Sequence, residues 1–573
     1  MRRYIGGLQK NEKMEYLVFG IVVAALVAAI LAKGVYDEYK DRKKLIGHLQ
    51  NEYGELQKRE YRPEQYVTIP GYFSKHPVDG QLDDITWNDL SMDDVFKSIN
   101  DTYSSAGEEV LYHMLRTPCF EEGALSHLEE LIQHFSDHTE ERVKLQFLLC
   151  RLGRTGRFSM YNYLEHLDLL GNRSNVKHWI LNLLYFPCIA LCLFLPSYGV
   201  LCLVALMLYN ILSYFKEKGE IDPYITSFAY VMRLLDTAEK VEKLHLEAIG
   251  EETEVLREHR KRLGKFKRGS FWLMSAGRMS GSGNPLDILL DYLRMACHID
   301  LIKFNSMLAQ VRERTADVDM LFYTLGSLET AISIGAYRKS LSGGFCVPAL
   351  DFAGGRELCA VNLYHPLLEN PVKNSIRADR GVLLTGSNAS GKSTFLKTVA
   401  VNAVFAQTIH TVLADSYEGG VYQICSSMAL RDDIAGGESY YMVEIRAIKR
   451  ILDLIDQGKR VLCFVDEVLR GTNTVERIAA GTEILLSLTA GQAMCFAATH
   501  DVELTGLLES YYDNYHFEEE IVDGDIYFNY RLLDGRATTR NAIKLLSVMG
   551  YQKEIIENAE RRAENFMEAG KWS

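Results

Sequence analysis

Apolar residues recur along this chain in three rhythms, and each predicts a different kind of element. From Tyr16 to Ala32, seventeen residues pass without a charged side chain, flanked by Glu15 and Lys33. That is close to the shortest helix able to cross a bilayer. No small-x-small cleavage site follows it, so the expectation is an uncleaved anchor and not a signal peptide. A second run, Trp179 to Phe215, holds 37 residues with none charged and is interrupted by Pro196-Ser197-Tyr198-Gly199. Two helices joined by that turn would form a transmembrane hairpin, which returns the chain to the side it came from. The alternative is a buried hairpin within a soluble helical domain.

The second rhythm is helical. Apolar residues fall at helix spacing from Leu82 to about Leu170 and again from Ile225 to about Leu341, which predicts one α-helical domain split by the hairpin. Lys33 to Tyr61 is charged and helix-friendly, until Pro63, Pro70, Gly71, Pro77 and Gly80 break it into a linker. The third rhythm starts after Gly343, where short apolar runs alternate with helical stretches. Val382-Leu383-Leu384, Val461 to Val465 and Ala493 to Ala497 each read as a buried strand ending at a polar cluster. That pattern predicts an α/β sheet with its site at the carboxyl ends of the strands.

The predicted organisation is multidomain: an anchor (1–34), a juxtamembrane helix and linker (35–81), a first helical part (82–178), the hairpin (179–215), a second helical part (216–341), an α/β domain (342–540) and a closing helical segment (541–573). Length agrees, since 573 residues exceed what a single hydrophobic core supports. The net charge of −13 excludes a wholly basic nucleic-acid coat but permits a local patch. Eleven scattered cysteines without a CxxC pair support neither zinc nor a disulfide framework, and read as buried thiols in a reducing compartment.

The chemistry is concentrated after residue 385. Gly386-Ser387-Asn388-Ala389-Ser390-Gly391-Lys392-Ser393 satisfies GxxxxGK[ST], and Thr394 opens the helical pattern that follows. Glycines let backbone N–H groups and a helix N-terminus surround phosphate oxygens, Lys392 adds charge, and Ser393 can ligate Mg²⁺. Asp466-Glu467 ends the next long strand, which suits Asp466 to Mg²⁺ and Glu467 to polarising a water. His500 ends a third strand, where it could bond the γ-phosphate. ATP and Mg²⁺ are thus the expected ligands, and Lys392, Glu467 and His500 the expected catalytic groups.

Four ordered motifs resemble the MutS family. TGSNASGKST (385–394) resembles TGPNMGGKST, DEVLRGTNT (466–474) resembles DEIGRGTST, and Ala498-Thr499-His500 is similar to the family's ATH. DDIAGGESYYMVE (432–444) resembles DDLxxGxSTFMVE. SSAGEEVLYHMLRTP (104–118) resembles the start of the family's lever domain, and Tyr364 to Glu369 its RHPVVE. The stretch from Asn541 to Phe566 looks like its closing helix–turn–helix, which pairs subunits. The likeness covers roughly residues 82–178 and 225–566. It implies an ABC-type P-loop ATPase working as a homodimer, with Gly437 and Ser439 of one subunit completing the other's site and Asn388 near the γ-phosphate. ATP would join subunits and hydrolysis release them. The family's mismatch-reading domain would precede the lever. Here that stretch reads as membrane helix, charged helix and linker, so the expectation is a membrane-anchored form lacking mismatch recognition.

Arg257, Arg260, Lys261, Arg262, Lys265, Lys267 and Arg268 form a cationic run. It could meet DNA phosphates or anionic lipid, or be a solvated helix face. The partners expected are therefore a second copy, membrane lipid and DNA, at the cell membrane with the ATPase domain in the cytoplasm. Two readings of other classes stay open. An ATP-binding-cassette transporter is one, although Leu341-Ser342-Gly343-Gly344 precedes the P-loop where that class's signature would follow it. The other is a scaffold that binds ATP without hydrolysing it.

Overall fold

The computed structural model describes residues 32–569 except 35, 56–58, 60, 156–158, 165–166, 268–291, 356, 388–389, 429–439, 523–524, 538–542, 544–545 and 547–549. The predicted anchor falls outside the described residues apart from residues 32–34. Residues 36–51 are helical, as the charged pattern predicts.

The helical part is built from α1 (Asp84–Asp89), α2 (Ser105–Arg116), α3 (Glu122–Asp137), α4 (Thr139–Leu152), α5 (Val176–Leu183), α6 (Tyr185–Phe194), α7 (Pro196–Glu242), α8 (Gly250–Arg262), α9 (Ile299–Glu313) and α10 (Thr315–Ser340). Its centre is the crossing of α2 and α10. A Cβ on Gly326 would lie 2.5 Å from the Ala106 carbonyl, so only glycine lets the backbones approach this closely. At the same crossing Glu329 accepts from Tyr103 N at 2.6 Å and Ser104 N at 3.1 Å, while Ser104 caps α2 by accepting from Gly107 N at 3.0 Å.

The hairpin departs from its expected form. Its first limb is Val176–Phe194, with a turn at Leu184 separating α5 from α6. Its second limb does not end at residue 215: α7 runs 47 residues without interruption, from the tip at Pro196 into the helical core at Glu242. Lys and Glu after Phe215 favour helix, and burial of Ile221, Phe228, Tyr230, Val231, Leu234 and Leu235 offsets the local cost of Gly219 and Pro223. Val176–Phe194 and Pro196–Asp222 are long and apolar enough to cross a membrane, and only 11% and 17% of their apolar windows are buried.

The α/β part holds two main sheets. β1 (Ala349–Asp351), β2 (Leu358–Leu363), β3 (Asn374–Ala378) and β5 (Ser416–Gly420) form a small mixed sheet ordered β1-β5-β2-β3. β4 (Gly381–Thr385), β6 (Gln423–Ser427), β7 (Val461–Asp466), β8 (Met494–Ala498), β9 (Tyr512–His516) and β12 (Leu533–Asp534) form the principal sheet, ordered β12-β9-β4-β8-β7-β6. Between β9 and β6 every pairing is parallel. Helices α11 (Lys392–Thr408), α12 (Tyr440–Asp456) and α13 (Thr474–Ser487) follow β4, β6 and β7. β4, β7 and β8 are buried at every position, which is why they read as unbroken apolar runs. β10 (Glu519–Val522) and β11 (Asp525–Phe528) form a separate hairpin, and α14 (Lys553–Ala569) ends the described chain.

Candidate functional site

Register decides where the motifs meet. Leu384 on β4 pairs with Ala498 on β8, and Ala498 pairs with Asp466 on β7. The three polar clusters, far apart in sequence, therefore leave one sheet edge side by side. Glu467 N donates to Ala498 O at 2.9 Å and Thr499 N to Leu384 O at 2.9 Å, which extends the alignment one residue past the strands.

The loop after β4 turns on Gly386 (φ 140°) and Gly391 (φ 109°), conformations that side chains resist. A Cβ at Gly386 would also lie 2.6 Å from the Phe517 carbonyl. α11 then begins with no side-chain cap and no acidic residue in its first turn. Its first turn thus offers neither a cap nor a carboxylate of its own to the helix N–H groups, an arrangement open to an anion. Lys392 is buried and donates to the carbonyls of Gly386 at 2.7 Å and Ser387 at 2.8 Å. Burial lowers its pKa against the opposing pull of Asp466 and Glu467, so both carboxylates lie within its field. Lys392, Ser393, Thr394, Ser387, Ser390 and Gly391 share a cleft of about 270 Å³ with Glu467, Arg470 and His500.

Two buried polar atoms here, Asp466 Oδ1 and Ser390 Oγ, have no hydrogen-bond partner among the described residues. Unmet polar atoms beside a helix N-terminus and a lysine suit a hydrated divalent cation and phosphate oxygens, so the residues present fit Mg²⁺ with a triphosphate. Asn388 and Ala389 lie outside the described residues, as do Gly437 and Ser439.

Glu467 is held from two sides. His500 Nε2 lies 2.9 Å from one of its oxygens and Arg470 pairs with the other. Burial pushes the Glu467 pKa up, but these two partners outweigh it and the net direction is down. His500 thus contacts the glutamate in this state. Glu467 and Leu469 both adopt left-handed backbone conformations, each with φ 58°, which cost non-glycine residues energy and persist where surroundings impose them. The imposing group is Glu444 on α12, 2% exposed, whose carboxylate accepts from Leu469 N.

Sequence reasoning assigned no role to Glu444 or Arg470, although both stand inside quoted motifs. It also missed a second cleft of about 340 Å³, walled in part by Leu363, His365, Val372, Phe395, Phe517 and Tyr530 and joined to the first through Gly391, Thr394 and Tyr530. Burial pushes His365 down to about 4, so its ring is neutral at pH 7, and Nδ1 accepts from Leu367 N at 3.2 Å. Only folding brings Tyr530, from beyond β11, against the loop after β4.

Three cations of the run, Arg257, Arg260 and Arg262, are ion-paired within the protein. Arg260 donates twice to Glu242, at 2.6 and 3.0 Å, Arg257 pairs with Glu254, and Arg262 pairs with Glu258 and, at 3.3 Å, with Asp317. Lys261 is exposed on α8. Arg268 lies outside the described residues, as do the side chains of Lys265 and Lys267.

A largely parallel sheet with a glycine loop, an acidic pair and a histidine at one edge, joined to a helical arm, makes this a mixed protein with a helical part and an α/β domain. Residues 382–567 match the family model for MutS domain V. The chain is 33% identical over 159 residues to the DNA mismatch repair protein MutS of Methanothrix thermoacetophila, covering 26% of this chain and 18% of that protein. It is 32% identical over 226 residues to that of Pseudothermotoga lettingae (38% and 28%), and 32% identical over 210 residues to that of Thermus thermophilus (34% and 24%). The chain spans less than a third of the length of each of these relatives. Over residues 382–567 the chain thus carries a domain of the MutS type.

Proposed function

We propose that the protein is a membrane-held ATPase of MutS type that binds Mg·ATP at the edge of the principal sheet and hydrolyses it to switch its grip on a partner. The observation that carries this reading is the convergence of Lys392, Ser393, Glu467 and His500 on one cleft, with Asp466 bearing on Lys392. The triphosphate would lie over the N-terminus of α11, where Lys392 would exchange its two loop carbonyls for phosphate oxygens. The neighbouring apolar cleft would take the base. Ser393 and Asp466 would hold Mg²⁺, which when bound neutralises phosphate charge. Glu467, kept ionised by His500 and Arg470, would accept a proton from the attacking water, which requires that at least one of those contacts rearrange.

The likeness to MutS supports a homodimer in which Gly437 and Ser439 complete the partner's site. The relatives' name brings duplex DNA in as the first partner to test, although the ion-paired state of Arg257, Arg260 and Arg262 leaves few cations on α8 for phosphates. The exposed apolar faces of α6 and the first half of α7 support insertion in a bilayer, and a nucleotide site implies that the α/β part faces the cytoplasm.

The test is nucleotide binding and phosphate release by the full chain in detergent. Lys392→Ala should abolish binding, and Glu467→Gln should retain ATP while turnover falls by at least a hundredfold. Undiminished turnover in either variant removes the assignment.

A further inference from the structure

A cavity of about 560 Å³ opens between the end of the helix across 36–51, α3 and α4, the last turns of α10, and the entry to the α/β part at Phe345 and Val347. It shares no lining residue with the phosphate-loop cleft.

Arg142 lines it and is only 2% exposed. A guanidinium does not escape burial by losing its proton, so its charge has to be compensated. Among the described residues Arg142 makes no ion pair. Its Nη1 donates to Phe135 O at 3.1 Å, its guanidinium lies 3.6 Å from the centre of the Tyr53 ring, and its Nε has no partner. Lys339 is on the same wall, its Nζ 5.3 Å from the Tyr53 ring, and it too makes no ion pair among the described residues. The carboxylate in the cavity, Glu129, is already taken by Arg338 at 2.7 and 2.6 Å and by His410 at 3.1 Å. Two cations thus face one cavity with no counter-charge left for either, while Gln133 and Thr139 add neutral hydrogen-bonding groups.

We propose that this cavity binds a phosphate group, free or carried on a small molecule, between Arg142 and Lys339. Its position suggests a regulatory ligand. Arg338, the residue before Lys339, holds His410 O at 2.8 Å and Thr411 Oγ1 at 2.9 Å, just past the end of α11. A ligand on Lys339 would therefore press on the contact between the helical part and the phosphate-loop helix.

The experiment is calorimetric titration of the full chain in detergent with inorganic phosphate and, separately, with a soluble short-chain phosphatidate. Lys392→Ala is run in parallel, because it removes phosphate seated in the glycine loop and leaves the new site. Binding that survives Lys392→Ala and weakens at least tenfold in Lys339→Glu, at an exposed position, supports the proposal; Arg142→Met should weaken it as well. Binding of phosphatidate alone, lost in Lys339→Glu, supports the same site with a lipid headgroup as its source. Binding undiminished in Lys339→Glu, or no binding of either probe beyond the glycine loop, overturns it.

Discussion

Asp89, buried at the end of α1, accepts from Ser426 Oγ at 2.7 Å and from Met428 N at 2.9 Å. Thr86 of the same helix accepts from Ser426 N at 3.1 Å. The helical part therefore grips the end of β6 just before the segment that carries Gly437 and Ser439. Asp89→Ala removes the acceptor of Met428 N and of Ser426 Oγ, both buried, which costs roughly 1–3 kcal/mol for each group left unsatisfied. The expected outcome is a clearly lower unfolding midpoint; a midpoint equal to wild type would show that the contact contributes nothing.

Glu444 fixes the backbone on which Glu467 stands. Glu444→Ala should lower kcat at least tenfold while leaving nucleotide affinity within a factor of about three, because the change relaxes Leu469 without touching the phosphate loop. Glu444→Gln keeps an oxygen for Leu469 N and should recover most of the rate. Equal rates in the alanine variant and wild type would remove the positioning role. Absence of turnover in wild type would instead remove the ATPase reading.

Acid should weaken the joint between α3, α10 and the end of α11. Burial raises the Glu129 pKa, but hydrogen bonds from Arg338 and His410 win and bring it down to about 2, against an unfolded carboxyl near ~4.3. A depressed carboxylate stabilises the fold above the unfolded pKa and loses that contribution as pH falls through the folded one. The gap in unfolding midpoint between wild type and Glu129→Gln should narrow from about pH 4 to about pH 2. A gap independent of pH would mean that the pairing is not what stabilises.

The arginines of α8 should matter more for folding than for nucleic acid. Arg260→Ala breaks a twofold contact with the mostly buried Glu242 and should cost about 1 kcal/mol of stability. If DNA binds, the slope of log affinity against log salt should stay within about one unit of wild type, since a cation already paired releases few counterions. A large fall in that slope would mean that Arg260 leaves Glu242 for a phosphate.

Much of this was legible in the order of residues. Strands buried on both faces appear as unbroken apolar runs, which located β4, β7 and β8. The loop between β4 and α11, which turns on Gly386 and Gly391, shows its glycines and its lysine at fixed spacing. The charge-free stretch from Trp179 to Phe215 announced two exposed apolar helices. These are local demands, met by residues close together in the chain.

What the order of residues left undecided depends on pairings between distant segments. The register Leu384–Ala498–Asp466 is set by hydrogen bonds across three strands, and no local pattern encodes it. The extent of α7 was settled by burial in the helical core beyond residue 215, where composition had suggested a boundary. Seven cations within twelve residues advertised a charged face, yet the carboxylates of Glu242 and Asp317, on other helices, consumed part of it. Arg142 and Lys339, nearly two hundred positions apart, share a cavity only because helix packing brought them there. Burial and charge compensation are sums over neighbours in space, and that sum exists only once the chain has folded.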